Sequence, residues 1–126
     1  MILLIIILLC IISGVSKAVM DKVKWHFDTS VFSKLNPLFW NPLLSYKNKY
    51  IIKYKIFDNY VFRYLKKTIL SWITDGWHLF QMIYGITFAS MFVLCGMYFP
   101  WWVSIIAYAG SRSVFELFFK RIFALK

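Results

Sequence analysis

Carboxylates are scarce in this chain: five Asp and Glu stand against fifteen Lys and Arg, a net charge of +10. Glu116 is the only glutamate, so paired catalytic glutamates are excluded. Glycine is sparse too, and none of the five sits in a phosphate-cradling pattern. Neither a P-loop, a dinucleotide fingerprint nor a nucleophile signature is present. The two cysteines, Cys10 and Cys95, each lie inside an apolar run. That setting gives a disulfide framework no support, and no CxxC or Cys/His spacing supports zinc, so both read as small buried hydrophobes. A lipoprotein acceptor at Cys10 is excluded as well, because Leu9 is bulky where such signals want a small residue.

The absence with the largest consequence is charge. From Gly76 to Ser111, 36 residues pass without one formally charged side chain, interrupted near the middle by Pro100. A spanning helix needs about 20 mainly apolar residues, so this run is nearly long enough for two. Hydrophobic residues make up 61% of the chain, well above the roughly 45–50% of soluble domains. A chain of 126 residues has too little interior to hide that much apolar surface from water. Lipid is its natural solvent.

What is present then arranges itself around three apolar segments, and the fold class read from them is an all-α membrane protein with three transmembrane helices. Residues 1–20 form an N-terminal transmembrane anchor. Ile2 to Ile12 is unbroken Ile, Leu and Cys, and Lys17 would snorkel to the headgroups. Small residues at Gly14 and Ser16 would allow cleavage as a secretory signal, but no basic residue precedes the apolar run. An uncleaved signal anchor is the favoured reading.

Residues 21–67 form a basic, aromatic loop at the membrane interface. Asn36-Pro37 and Asn41-Pro42 are turn signals that argue against a continuous helix, since the residue before each proline is pushed out of the α basin. Basic and aromatic residues interleave from Lys49 to Lys67, in a pattern compatible with a short hairpin turning at Asp58-Asn59 or with an interfacial amphipathic helix. Residues 68–126 form a helical hairpin, with helices over about 68–98 and 100–119 and Pro100 as the first residue of the second. Tyr98, Phe99, Trp101 and Trp102 would mark one headgroup layer, and Trp72 and Trp77 the other. Gly85 with Ala89, and Ala107 with Ser111, have the spacing that lets helices approach closely.

The distribution of Lys and Arg orients the chain. Eleven fall between Lys17 and Lys67, four between Arg112 and Lys126, and none in the hairpin turn. The bias of such residues toward the cytoplasm places the N-terminus outside and the C-terminus inside, in a bacterial inner membrane or a phage-associated one. The positive charge is therefore assigned to anionic headgroups. Nucleic acid, which basic residues interleaved with aromatics would also suit, is the disfavoured partner. A membrane-protein partner or self-association completes the expected partners.

The ionisable residues of the apolar segments are few enough to consider singly. Asp75 and His78 are three apart and share a helix face. A carboxylate and an imidazole at that spacing would bind one divalent metal ion or act as an acid/base pair. His26 and Asp28, with Asp21 nearby, follow the first span, and the topology brings them to the same interface. His26, Asp28, Asp75 and His78, with Asp21 as a fifth member, are thus a candidate N/O site suited to zinc, manganese or iron. The competing reading, which is favoured, is structural: such residues pair with one another or with lysines, and Asp75 near a helix start stabilises it. Arg112 and Glu116, four apart, are a structural ion pair.

At these residues a family resemblance arises. Asp21, His26-Phe27, Ser30-Val31-Phe32-Ser33, Trp40-Asn41-Pro42, Ser45-Tyr46-Lys47-Asn48-Lys49-Tyr50 and Thr74-Asp75-Gly76-Trp77-His78 resemble the landmarks of a group of uncharacterised small multi-pass membrane proteins of Bacteroidota-type bacteria and their phages. The resemblance spans roughly residues 17–80. It departs from the group between Ile51 and Leu65, where a glycine- and proline-containing loop is usual. It implies membrane insertion and no particular activity.

Three functions follow as expectations. The first is a small integral membrane protein of structural or scaffolding type, binding lipid and membrane partners through its basic loop. The second is a metal-binding protein or enzyme at the membrane interface, built on His26, Asp75 and His78. The third is a holin-like phage protein, which the size and topology fit and the long loop between the first two spans fits poorly.

Overall fold

The computed structural model describes residues 1–45 and 75–125. The basic-aromatic stretch from Lys49 to Lys67, Trp72 and Thr74 lie outside them. Among the described residues the fold is helical, and strand pairing is confined to a single bridge between Ser30 and Ala124. Helix α1 runs Ile2–Trp25, α2 is the single turn Pro37–Trp40, α3 runs Gly76–Tyr98 and α4 runs Trp101–Leu117. A 3-10 turn, Val31–Lys34, precedes α2, and a π turn, Phe118–Ile122, continues α4.

Each boundary has a local cause. Asp75 has extended backbone and its Oδ1 accepts from the His78 N–H at 2.8 Å, so α3 starts at Gly76 as a capped helix. Asp75 thus interrupts the helix expected over about 68–98, of which residues 68–74 lie outside those described. At the hairpin Pro100 takes the position just before α4, with ψ of 152°, and the helix proper begins one residue later at Trp101. The two Asn-Pro pairs do more than break helix. Asn36 accepts from the Leu38 N–H at 3.0 Å and Asn41 from the Leu43 N–H at 2.9 Å, so each asparagine caps a short helical turn whose first residue is the proline.

Helix α1 is the hub, packed along both α3 and α4. It runs antiparallel to α3 and parallel to α4: Cys10 Sγ lies 3.3 Å from Met91 Sδ and 3.4 Å from the Ala107 carbonyl. Further along, Ser111 Oγ donates to Ser13 Oγ at 3.2 Å. Gly14 lets α1 and α4 meet there, since a Cβ on it would stand 2.5 Å from the Ser111 carbonyl oxygen. The expectation for the small residues thus divides. Ala107 and Ser111 are buried at this seam, whereas Gly85 and Ala89 face outward, with nothing within 4 Å of a Cβ on Gly85.

Two apolar clusters result. One gathers Ile6, Cys10, Met91, Cys95 and Ala107. The other lies at the opposite end, where Val19, Val23 and Phe32 pack with Trp40, Trp77, Phe80 and Phe123.

Among the described residues two helices, not three, are long and apolar enough to cross a membrane: α1 with 24 residues and α3 with 23. The third expected span falls short for a simple reason. The 17 residues of α4 reach about 25 Å against a hydrocarbon thickness of about 30 Å, and Arg112 and Glu116 occupy its last turns. The two long helices do not bury themselves in the fold. Only 39% of the most apolar window of α1 and 17% of that of α3 are buried, so their apolar side chains point mostly outward.

Candidate functional site

The ionisable residues meet the aromatic ones at one end of the bundle, where α1 ends, α3 begins and α4 runs into its π turn. The chain is held there by backbone pairing. The Val31 N–H donates to the Phe123 carbonyl at 3.1 Å and the Leu125 N–H to the Thr29 carbonyl at 2.9 Å, tying the C-terminal segment to the exit of α1. Trp40 stacks on Phe32 with centroids 4.7 Å apart and reaches Phe80 at 6.0 Å. Its indole lies against the first turn of α3: a Cβ on Gly76 would come within 2.8 Å of Trp40 Cε3. Gly76 is the residue that lets the ring sit there.

Asp75 and His78 form a close pair on this end. Asp75 is buried, its Oδ1 holds the helix start, and its Oδ2 lies 2.6 Å from His78 Nδ1. A carboxylate on that side favours the tautomer with its proton on Nδ1. His78 is 36% exposed and stacks edge-on against Trp77 at 4.7 Å. The Trp77 indole N–H is buried with no acceptor among the described residues.

The other candidate ligands go elsewhere. Asp21 pairs with Lys17 at 2.9 Å, one helical turn apart. His26 follows the last residue of α1, and its ring meets the edge of Phe119 at 5.4 Å. Asp28 is exposed in the following turn. Among the described residues no three His, Cys, Asp or Glu come together as a metal site. The end of α1 and the start of α3 are indeed neighbours, since Lys24 Nζ lies 5.0 Å from the Trp77 ring. Neighbouring backbones are not enough: Asp21, His26 and Asp28 spend their side chains on Lys17, on Phe119 and on solvent. Arg112 donates to Glu116 at 2.7 Å, and Lys120 joins the same carboxylate to make a three-residue ion chain along α4.

The sequence offers Lys22 only as a cation to pair with the nearby carboxylates. This lysine is only 7% exposed, makes no ion pair among the described residues, and holds its ammonium 4.4 Å from the centre of the Phe119 ring. The site is thus a basic-aromatic collar with one histidine–carboxylate pair. Comparison of the chain with protein-family models, with curated proteins and with solved structures finds no match.

Proposed function

We propose that this chain is a small integral membrane protein of structural or scaffolding type, which binds anionic lipid and membrane partners through its basic-aromatic end. The observation that carries the reading is the outward exposure of two long apolar helices. A soluble protein's core helix is mostly buried, whereas α3 buries 17% of its most apolar window. Exposed Ile86, Val93, Met97, Ile105 and Ile106 would form a continuous unfavourable surface in water and a favourable one in lipid.

In this reading α1 is a signal anchor and α3 crosses back. Helix α4, prolonged by its π turn and parallel to α1, serves as a shorter third crossing, with the ion chain of Arg112, Glu116 and Lys120 near the surface. The collar of Lys24, Trp25, Trp77, Phe119 and Trp40 lies at the cytoplasmic headgroup layer, where amphipathic rings and lysines are favoured. The N-terminus is then outside and the C-terminus inside. Expression in a bacterium followed by alkaline carbonate extraction tests this. The chain should stay in the membrane pellet and need detergent for release, and recovery in the carbonate supernatant would overturn the proposal. Cells should accumulate it without abrupt lysis, which separates a scaffold from a holin-like protein.

A second reading has one observation in its favour, the 2.6 Å contact between Asp75 and His78. A carboxylate that fixes an imidazole tautomer is the arrangement of an acid/base pair. The same carboxylate also caps α3, a structural task sufficient to explain its burial.

A further inference from the structure

We infer that the seam between α1 and α4 is a binding site for one anionic phospholipid, with the phosphate at Lys22 and an acyl chain in the apolar groove below it. The inference rests on the membrane reading above and adds to it a defined site with its own residues.

Lys22 is the first half of the case. A lysine that is 7% exposed and meets no carboxylate is a cation withdrawn from water without a counter-charge, which is costly unless an anion completes the site. Among the described residues the acidic groups near it are committed or turned away. Asp21 is held by Lys17, Glu116 by Arg112 and Lys120, and Asp28 is exposed beyond the helix end. The ammonium lies over Phe119, on the α4 side of α1, so it faces the seam. The contact with the ring offsets part of the desolvation and leaves the charge unneutralised.

The groove is the second half. Leu3, Ile7 and Ile11 of α1 and Val103, Gly110 and Val114 of α4 line an open channel of about 290 Å³ whose walls are apolar. It closes where Gly14 brings α1 against Ser111 and Val114. Lys22 is eleven residues past Ile11 on the same face, a rise of about 16 Å, close to half of the roughly 30 Å hydrocarbon thickness. A phosphate held at Lys22 therefore sets the ends of its chains at the Ile11 edge of the groove, beyond the Gly14 contact, while the far end at Leu3 lies about 28 Å from Lys22 along α1. The cation at Lys22 selects an occupant that carries an anion together with an apolar chain. A zwitterionic lipid would fill the groove equally well but would leave the Lys22 charge without net compensation.

Full-length protein, extracted from membranes in mild detergent, is mixed with equal amounts of phosphatidylglycerol and phosphatidylcholine, and bound lipid is counted by native mass spectrometry. Wild type should retain one phosphatidylglycerol per chain in preference to phosphatidylcholine. Lys22→Met should lower that retention about tenfold or more, the factor for losing a hydrogen bond to a charged group, and Lys22→Arg should restore it. Gly110→Leu should reduce retention of both lipids, since a Cβ there meets nothing within 4 Å and the added side chain fills the groove without disturbing the helix. Lys34→Met, at an exposed cation outside the seam, should change nothing. Circular dichroism of each variant confirms its helix content, and Gly110→Leu carries the test should Lys22→Met not fold. Equal retention by wild type and Lys22→Met, an equal loss in Lys34→Met, or a dimer that holds no lipid would overturn the site while leaving the membrane reading intact. Release of the chain by carbonate alone would overturn both.

Discussion

Gly14→Ala is the sharpest test of the packing, because a single methyl group is placed where no space exists. The added Cβ would lie 2.5 Å from the Ser111 carbonyl oxygen, 2.8 Å from Val114 Cβ and 2.9 Å from Val114 Cγ1. Ordinary contact for such a carbon begins near 3.4 Å, so α1 and α4 must separate by roughly an ångström at their closest point. Two of the three obstacles are backbone oxygen and a β-carbon, which no rotamer change can move. The hydroxyl bond between Ser111 and Ser13, at 3.2 Å, breaks with that separation. Overpacking of this kind costs about 1–3 kcal/mol, and the better helix propensity of alanine returns about 0.5–1 kcal/mol. The net loss spans about 0–2.5 kcal/mol and centres near 1 kcal/mol, a factor of roughly 5 in the folded-to-unfolded ratio. Unfolding by sodium dodecyl sulfate titration in mixed micelles, followed by circular dichroism, reads it. Gly85→Ala is the matched control, since a Cβ there meets nothing within 4 Å, and it should be neutral or stabilising. The reasoning fails if Gly14→Ala is as stable as wild type, or if Gly85→Ala loses as much.

Three further outcomes follow from named contacts. Asp75→Ala removes the cap of α3 and the partner of His78 together and should cost about 1–2 kcal/mol in the same titration; Asp75→Asn, which keeps a cap acceptor, should lose distinctly less. Elemental analysis of the purified protein should show no stoichiometric zinc, manganese or iron that disappears in both His26→Ala and His78→Ala, because His26 packs on Phe119 apart from the Asp75–His78 pair; coordinate loss from both variants would mean that the two histidines share a metal. Cys10 and Cys95 are free and buried, so a membrane-permeant maleimide should label neither until the bundle is unfolded, and rapid native labelling of Cys95 would contradict the packing of α3 on α1.

Much of this molecule was legible in the order of its residues. Apolar runs free of charge announce helices that lie in or against lipid, because a backbone there must satisfy its own hydrogen bonds. Pro100 announces a break, and Asn36-Pro37 and Asn41-Pro42 announce turns. What hydropathy cannot register is a cap inside an apolar context. Asp75 starts α3 through one side-chain hydrogen bond, and only its geometry, not the average over a window, distinguishes that start from a longer helix. The second hairpin helix, expected over about 100–119, corresponds to α4 and its π turn, Trp101 to Ile122; what hydropathy overstated is how apolar that stretch is, since Arg112 and Glu116 fall within it.

Tertiary structure alone decided which small residues matter and which ionisable ones meet. Gly85 and Gly14 are alike in sequence terms, yet one faces open space and the other lies under a neighbouring backbone. Asp75 finds His78 because they share one helical turn, a local relation that spacing reveals. Cys10 meets Met91, 81 residues away, and Lys22 meets Phe119 only because α3 and α4 pack against α1. Such contacts depend on the relative rotation of the helices about their axes, which is fixed by how side chains interlock at the seam. Composition and periodicity determine that a helix forms and that it is apolar; where each face points is settled only when the helices meet.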